Sequence, residues 1–170
     1  MTGRTPQLPV ASGRLMFWGQ ARSWAKLFLN HMRQSEPPGR IDLAVLAEEA
    51  VFAASLDELR MTIEKHPASF VFAEVAATHF RELLGQIPHL RRTKPLLRVV
   101  IVCFELCERS VDEYHVLDSL FREAGATAVL ATQRSLLAMI PAVLTHFANL
   151  PQQEINWQES MERRLPWRNA

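Results

Sequence analysis

Short apolar runs alternate along this chain with amphipathic stretches of helical period. RLMFWG (14–19) is an apolar run stopped by glycine and predicts a first strand. Trp24, Leu27, Phe28 and Met32 then recur at helical spacing, and SEPPG (35–39) closes that helix. IDLAVLA (41–47) reads as a second strand. Ser55, Leu56, Asp57 and Glu58 have the order of a capping box, so a helix is expected from there to Pro67. SFVFAE (69–74) predicts the third strand. Phe80, Leu83, Leu84 and Ile87 mark a helix expected to break near Pro88 and to continue as a basic loop, LRRTKP. LRVVIVCF (97–104) lacks alternation and is rich in β-branched residues, as in a strand buried on both faces. A second capping box, Ser110 to Glu113, opens a helix with Val116, Leu117, Leu120 and Phe121 inward, ending at Gly125. TAVLAT (127–132) is the fifth strand, and 134–150 a last helix that Pro141 is expected to bend.

Strands and helices in strict alternation, with short connections, predict an α/β fold. Its sheet is parallel, and right-handed crossovers place helices on both faces. Five strands in this length match the flavodoxin-like doubly wound arrangement, order 2-1-3-4-5. Residues 1–12 read as a flexible arm, 13–150 as the α/β domain and 151–170 as a tail.

Composition narrows the function classes. With 19 basic and 18 acidic side chains the net charge is +1, which predicts no strong field toward nucleic acid or anionic membrane. Cys103 and Cys107 lie close together in an apolar region without a disulfide framework, as expected of a reducing, cytoplasmic setting. The first residues lack the apolar core of a secretory signal, and no segment approaches the ~20 apolar residues of a membrane span.

In such sheets ligands gather at the carboxyl ends of the strands, near the switch in strand order. Glu74 ends strand 3 there, after a run that could fill the middle of a sheet. A carboxylate at that rim is either functional or simply solvated.

The order of elements, and above all FREAGATAVLATQRS (121–135) with its Ala124, Gly125 and Ala126 turn, resembles the receiver domain of bacterial response regulators. The resemblance spans about residues 14–150, mostly as pattern. It implies that Glu74 occupies the position of the aspartate that takes a phosphoryl group. The acidic pair that holds Mg²⁺ in that family falls on Trp18, Gly19 and Gln20. The Ser or Thr ending strand 4 is Cys103, and the lysine ending strand 5 falls on Thr132 and Gln133. Without metal-binding acids or a lysine, phosphoryl chemistry lacks its cationic stabilisation. The expectation is a degenerate, phosphorylation-independent receiver-like domain with no catalytic residue, metal or cofactor. Glu74 either mimics a phosphorylated aspartate or is tolerated at a wet rim. By the same resemblance, Tyr114, Asp118, Arg122 and helix 134–150 form a face for a protein partner or homodimer.

The remaining constellations read more plainly. Cys103 is more ordinary as a buried core thiol than as a nucleophile, since no histidine lies near it in sequence. The six histidines form no zinc-type spacing. Gly19 to Ser23 could cradle a phosphate at a helix start, but one glycine is a weak signal. The basic stretch from His89 to Lys94, with Arg98 beyond, has no interleaved aromatics and reads as a solvated loop rather than a nucleic-acid site. In the tail, Asn156 and Glu159 suit a short helix carrying Trp157 and Met161, with Leu165 and Trp167 beyond. Two tryptophans past a domain either dock on it or on a partner. The competing function is a small flavodoxin-like enzyme or nucleotide binder using Gly19, Ser23, Glu74, Cys103 and Thr132.

Overall fold

A computed structural model of the chain describes residues 13–19, 22–37, 41–75, 80–104 and 111–150. The arm 1–12, the tail 151–170, Gln20 and Cys107 lie outside the described residues, and with them Ser110, Trp157 and Trp167. Five strands form one parallel sheet in the order β2-β1-β3-β4-β5: β1 Leu15–Trp18, β2 Val51–Ala53, β3 Phe70–Glu74, β4 Arg98–Val102 and β5 Ala128–Leu130. The helices are α1 Ser23–Arg33, α2 Leu43–Glu48, α3 Leu56–Lys65, α4 Phe80–Thr93, α5 Val111–Ala124, α6 Gln133–Leu137 and α7 Ile140–Asn149.

Both faces of the sheet are covered, which is why its central strands carry unbroken apolar runs. Met16, Trp18, Val71, Ala73, Val99 and Ile101 face α3, α4 and α5, packing on Leu59, Ile63, Leu83, Ile87 and Phe121. Leu15, Phe17, Phe70, Phe72, Val100 and Val102 face the other way, toward Phe28, Met32, Leu43, Leu136 and Val143. On that second face Phe17 and Phe72 stack at 5.5 Å, and Phe28 lies 4.9 Å from Phe72.

Three expected elements differ. IDLAVLA is not a strand: Asp42 caps a helix over Leu43–Glu48 by accepting from the Ala44 and Val45 backbone N–H groups, and Leu43 and Ala47 face the core one turn apart. The second strand is instead Val51–Ala53, just before the Ser55 cap. Helix α4 runs through Pro88 to Thr93 rather than breaking, held by Ile87 and Leu90 in the core on either side of the proline. The basic residues Arg91 and Arg92 therefore sit in its last turn, at the negative end of the helix dipole, not in a loop. The last helix is two, because Pro141 falls in the first turn of α7, where a missing N–H costs nothing.

At the amino end of the sheet, the His146 ring nitrogen Nε2 meets the Ala68 carbonyl at 2.7 Å, against the Phe70 ring. Burial, joined by the charge of Arg98, holds His146 below the ordinary histidine value, although the bond to Ala68 pulls the other way. His66 is lowered too, first by burial and then by Arg14. A base harder to protonate in the folded state leaves the unfolded chain binding more protons, so stability is greatest above 6.5, the ordinary value, and falls as pH drops below it. The urea midpoint should therefore decrease between about pH 7.5 and 5.5. His146→Gln, which keeps a donor for Ala68 and does not titrate, should flatten that slope; an unchanged slope would remove His146 as its source.

Candidate functional site: the carboxyl rim of the sheet

Glu74 is the last residue of β3, beside β1 and β4 at the point where strand order reverses. It is half-buried, and the Trp24 indole Nε1–H donates to its Oε2 at 3.2 Å. Trp24 lies in the first turn of α1, with its ring packed edge-on to Phe17 and Phe104. The carboxylate also lies over the end of β1. A Cβ built at Gly19 would come within 2.6 Å of the Glu74 Cβ and closer still to Oε2. Any side chain at position 19 would have to displace the Glu74 side chain, which packs directly over the Gly19 backbone.

The other expected switch positions hold bonds of their own. Cys103 is 1% exposed and donates through Sγ to the Leu130 carbonyl at 3.3 Å, linking β4 to the end of β5. It is a core thiol. Thr132 is the N-cap of α6: its hydroxyl accepts from the Ser135 N–H at 3.1 Å, and the Ser135 side chain answers to the Thr132 N–H at 3.2 Å. Ser23 is exposed at the start of α1. The cavity lined by Trp18, Gly19, Arg22, Trp24 and Phe52 is about 10 Å³, no more than a single water needs. Among the described residues, no three His, Cys, Asp or Glu side chains are placed to hold a metal ion.

Gly19, Glu74, Cys103 and Thr132 are thus brought to one end of the sheet, with Gly19 and Glu74 in contact and the other two built into neighbouring elements. Trp24, the partner of Glu74, was assigned from sequence only to the core face of its helix. An i, i+4 pattern carries no sign of a bond to a residue fifty positions away.

Tyr114, Asp118 and Arg122 follow one another along α5 at helical spacing. The Tyr114 hydroxyl donates to the Val129 carbonyl at 3.3 Å, so this residue ties α5 to β5. Arg122 and Asp118 form an ion pair at 2.7 Å. The inward side of α5 is narrower than expected. Phe121 is buried, whereas Val116 and Leu120 are 59% and 38% exposed. Tyr114 and Phe121, two turns apart, line the seam with β5, and Val116 and Leu120 fall beyond it.

No family model matches the chain, and no curated protein matches it. Solved structures similar to it include the following two. A CheY-like protein (tadZ) from Pseudomonas aeruginosa PAO1 is 17% identical, with a TM-score of 0.53, over 84% of this chain and 98% of that one. The TrkA-N domain of the inner membrane protein ybaL from Escherichia coli is 13% identical, with a TM-score of 0.43, over 81% of this chain and 99% of that one. No described helix is long and apolar enough to cross a membrane. The strand order and the first of these likenesses together show that the chain has the CheY-like, flavodoxin-like fold of receiver domains.

Proposed function

We propose that this chain is a receiver-like signalling module that works without phosphorylation, through protein contacts, in the cytoplasm and without a catalytic step of its own. The observation that carries this reading is the bond between Trp24 and Glu74 above Gly19. The acid at the end of β3 is engaged by an indole and seated on backbone, where a phosphoryl acceptor needs open space and a metal beside it. Cys103 and Thr132 support the same reading, since each is committed to a structural hydrogen bond. A face for protein contact is available on α5, where Val116 and Leu120 are exposed on one flank and the Asp118–Arg122 pair lies on the other.

The test is the amide NMR spectrum of the labelled full chain before and after adding Mg²⁺ with beryllofluoride, a stand-in for a carboxyl-bound phosphoryl group. No shift at Gly19, Trp24, Glu74, Cys103 or Thr132 is expected. Saturable shifts clustered on these residues would mean that the rim still binds metal and anion, and the proposal would fail.

A further inference from the structure

The amino end of the sheet, opposite the candidate site, holds two arginines on one acceptor. Arg91, in the last turn of α4, and Arg98, at the start of β4, both donate through Nη1 to the Leu97 carbonyl. Arg98 also donates to the Pro95 carbonyl at 3.0 Å. Two guanidiniums on one oxygen stand within ~6 Å of each other. Both side chains are half-buried, so water screens their repulsion less than on an open surface. Burial first, and then the charge of Arg98, lowers the Arg91 pKa.

Neighbouring cations have acids of their own: Arg14 pairs with Glu49 at 2.9 Å, and Lys94 with Glu64 at 2.9 Å. Arg91 and Arg98 make no ion pair among the described residues, and their bonds there all run through Nη1. The dipole of α4 accounts for Arg91 and Arg92 at that helix end, but not for Arg98, which lies on a strand. The carbonyls anchor one corner of each guanidinium and leave the Nε–H and Nη2 edges for an anion.

The charge of that anion follows from the pair. A carboxylate or a phosphodiester brings one negative charge and leaves the second guanidinium unmatched. A phosphomonoester brings close to two at neutral pH, with three terminal oxygens for the two planar forks. Apolar surface adjoins the pair as well. Leu96, 40% exposed, follows Pro95, whose carbonyl Arg98 binds.

We propose that Arg91 and Arg98 form a binding site for a phosphomonoester group, with the apolar substituent of the ester over Leu96. The group is bound and released intact, on a small molecule or on a phosphorylated protein side chain. The site is independent of the reading of the carboxyl rim.

The test titrates phenyl phosphate into the full chain at constant ionic strength, following the arginine Nε–H and leucine methyl signals by NMR. Saturable shifts are expected at Arg91, Arg98 and Leu96. Shifts centred on Glu74 instead, or none that saturate, would overturn the site. Arg98→Gln and Arg91→Gln should each weaken binding about tenfold or more. Arg92→Gln, in the same helical turn and exposed, should leave it within about twofold. An equal loss in Arg92→Gln would mean diffuse attraction and no site. Benzoate, which carries the same ring on a carboxylate, needs no variant and should bind about tenfold more weakly. Equal affinity for benzoate would overturn the phosphate assignment. Phenyl phosphate should outbind inorganic phosphate, and Leu96→Ala should narrow that preference; no preference would remove Leu96 from the site. A phosphotyrosine peptide flanked by alanines separates the two carriers: binding as tight as phenyl phosphate supports a protein side chain, and weaker binding a small molecule.

Discussion

Phe72→Ala should remove about 3–5 kcal/mol of folding stability, the loss expected when a fully buried phenylalanine is truncated. Phe72 is completely buried at the centre of β3, with Phe17, Phe28 and Phe70 rings at 5.5, 4.9 and 5.4 Å. Truncation leaves a cavity walled by three rings anchored on different elements, so collapse to fill it is hindered. Domains of this size have about 5–15 kcal/mol in total, so much of the margin would go. Equilibrium urea unfolding would show it as a large drop in midpoint. The exposed Met61, 63% accessible on α3, serves as the comparison, with Met61→Ala expected within about 0.5 kcal/mol of the parent. A Phe72→Ala cost below about 1 kcal/mol would mean that the ring cluster does not hold this face together.

The second large effect concerns the rim. Gly19→Ala should cost about 1–3 kcal/mol, because its new Cβ must displace Glu74 from the end of β3. The cost has a specific origin and so a specific remedy. In a Glu74→Gly background, where both the Cβ and the carboxylate are gone, the same change should cost less by about 1 kcal/mol or more. Four denaturation curves complete the double-mutant cycle. Additive costs would separate Glu74 from Gly19, and the structural basis of the phosphorylation-independent reading would be lost with them. Trp24 fluorescence adds a second view: Glu74→Gly removes the indole's hydrogen-bond acceptor, so its emission should change even where stability does not.

Much of the scaffold was legible in the sequence, for a reason visible in particular elements. Residues 98–102 are apolar at every position after Arg98 because β4 is covered on both faces, and that run needs no partner to be recognised. Ser55 and Glu58 signalled a helix start because the cap is a local bond, and the structure makes it: the Ser55 hydroxyl accepts from the Glu58 N–H at 3.1 Å, and the Glu58 carboxylate accepts from Ala54. Gly125 ended α5 as expected, at a φ of 108° that disfavours any side chain.

The misread segment shows where local signals run out. IDLAVLA is apolar and short enough for either a strand or a helix. Its helical state is settled by Asp42 capping the first turn and by Leu43 and Ala47 seating against α1, while Val51–Ala53 takes the edge of the sheet beside β1. Pro88 misled in the other direction. The local cost of a mid-helix proline was outweighed by burial of Ile87 and Leu90.

The sequence by itself determined the class of fold, four of the five strands from their apolar runs, and the place of Glu74 at a strand end. These are properties of neighbours in the chain: period, caps and glycine turns. Only the tertiary structure decided what Glu74 touches, that the Cys103 thiol donates to the Leu130 carbonyl of the neighbouring strand, and that Arg91 and Arg98 meet on one carbonyl. Those pairings depend on directional contacts between side chains and backbone groups that folding alone brings within reach, and hydrophobic periodicity, which records burial, holds no information on direction.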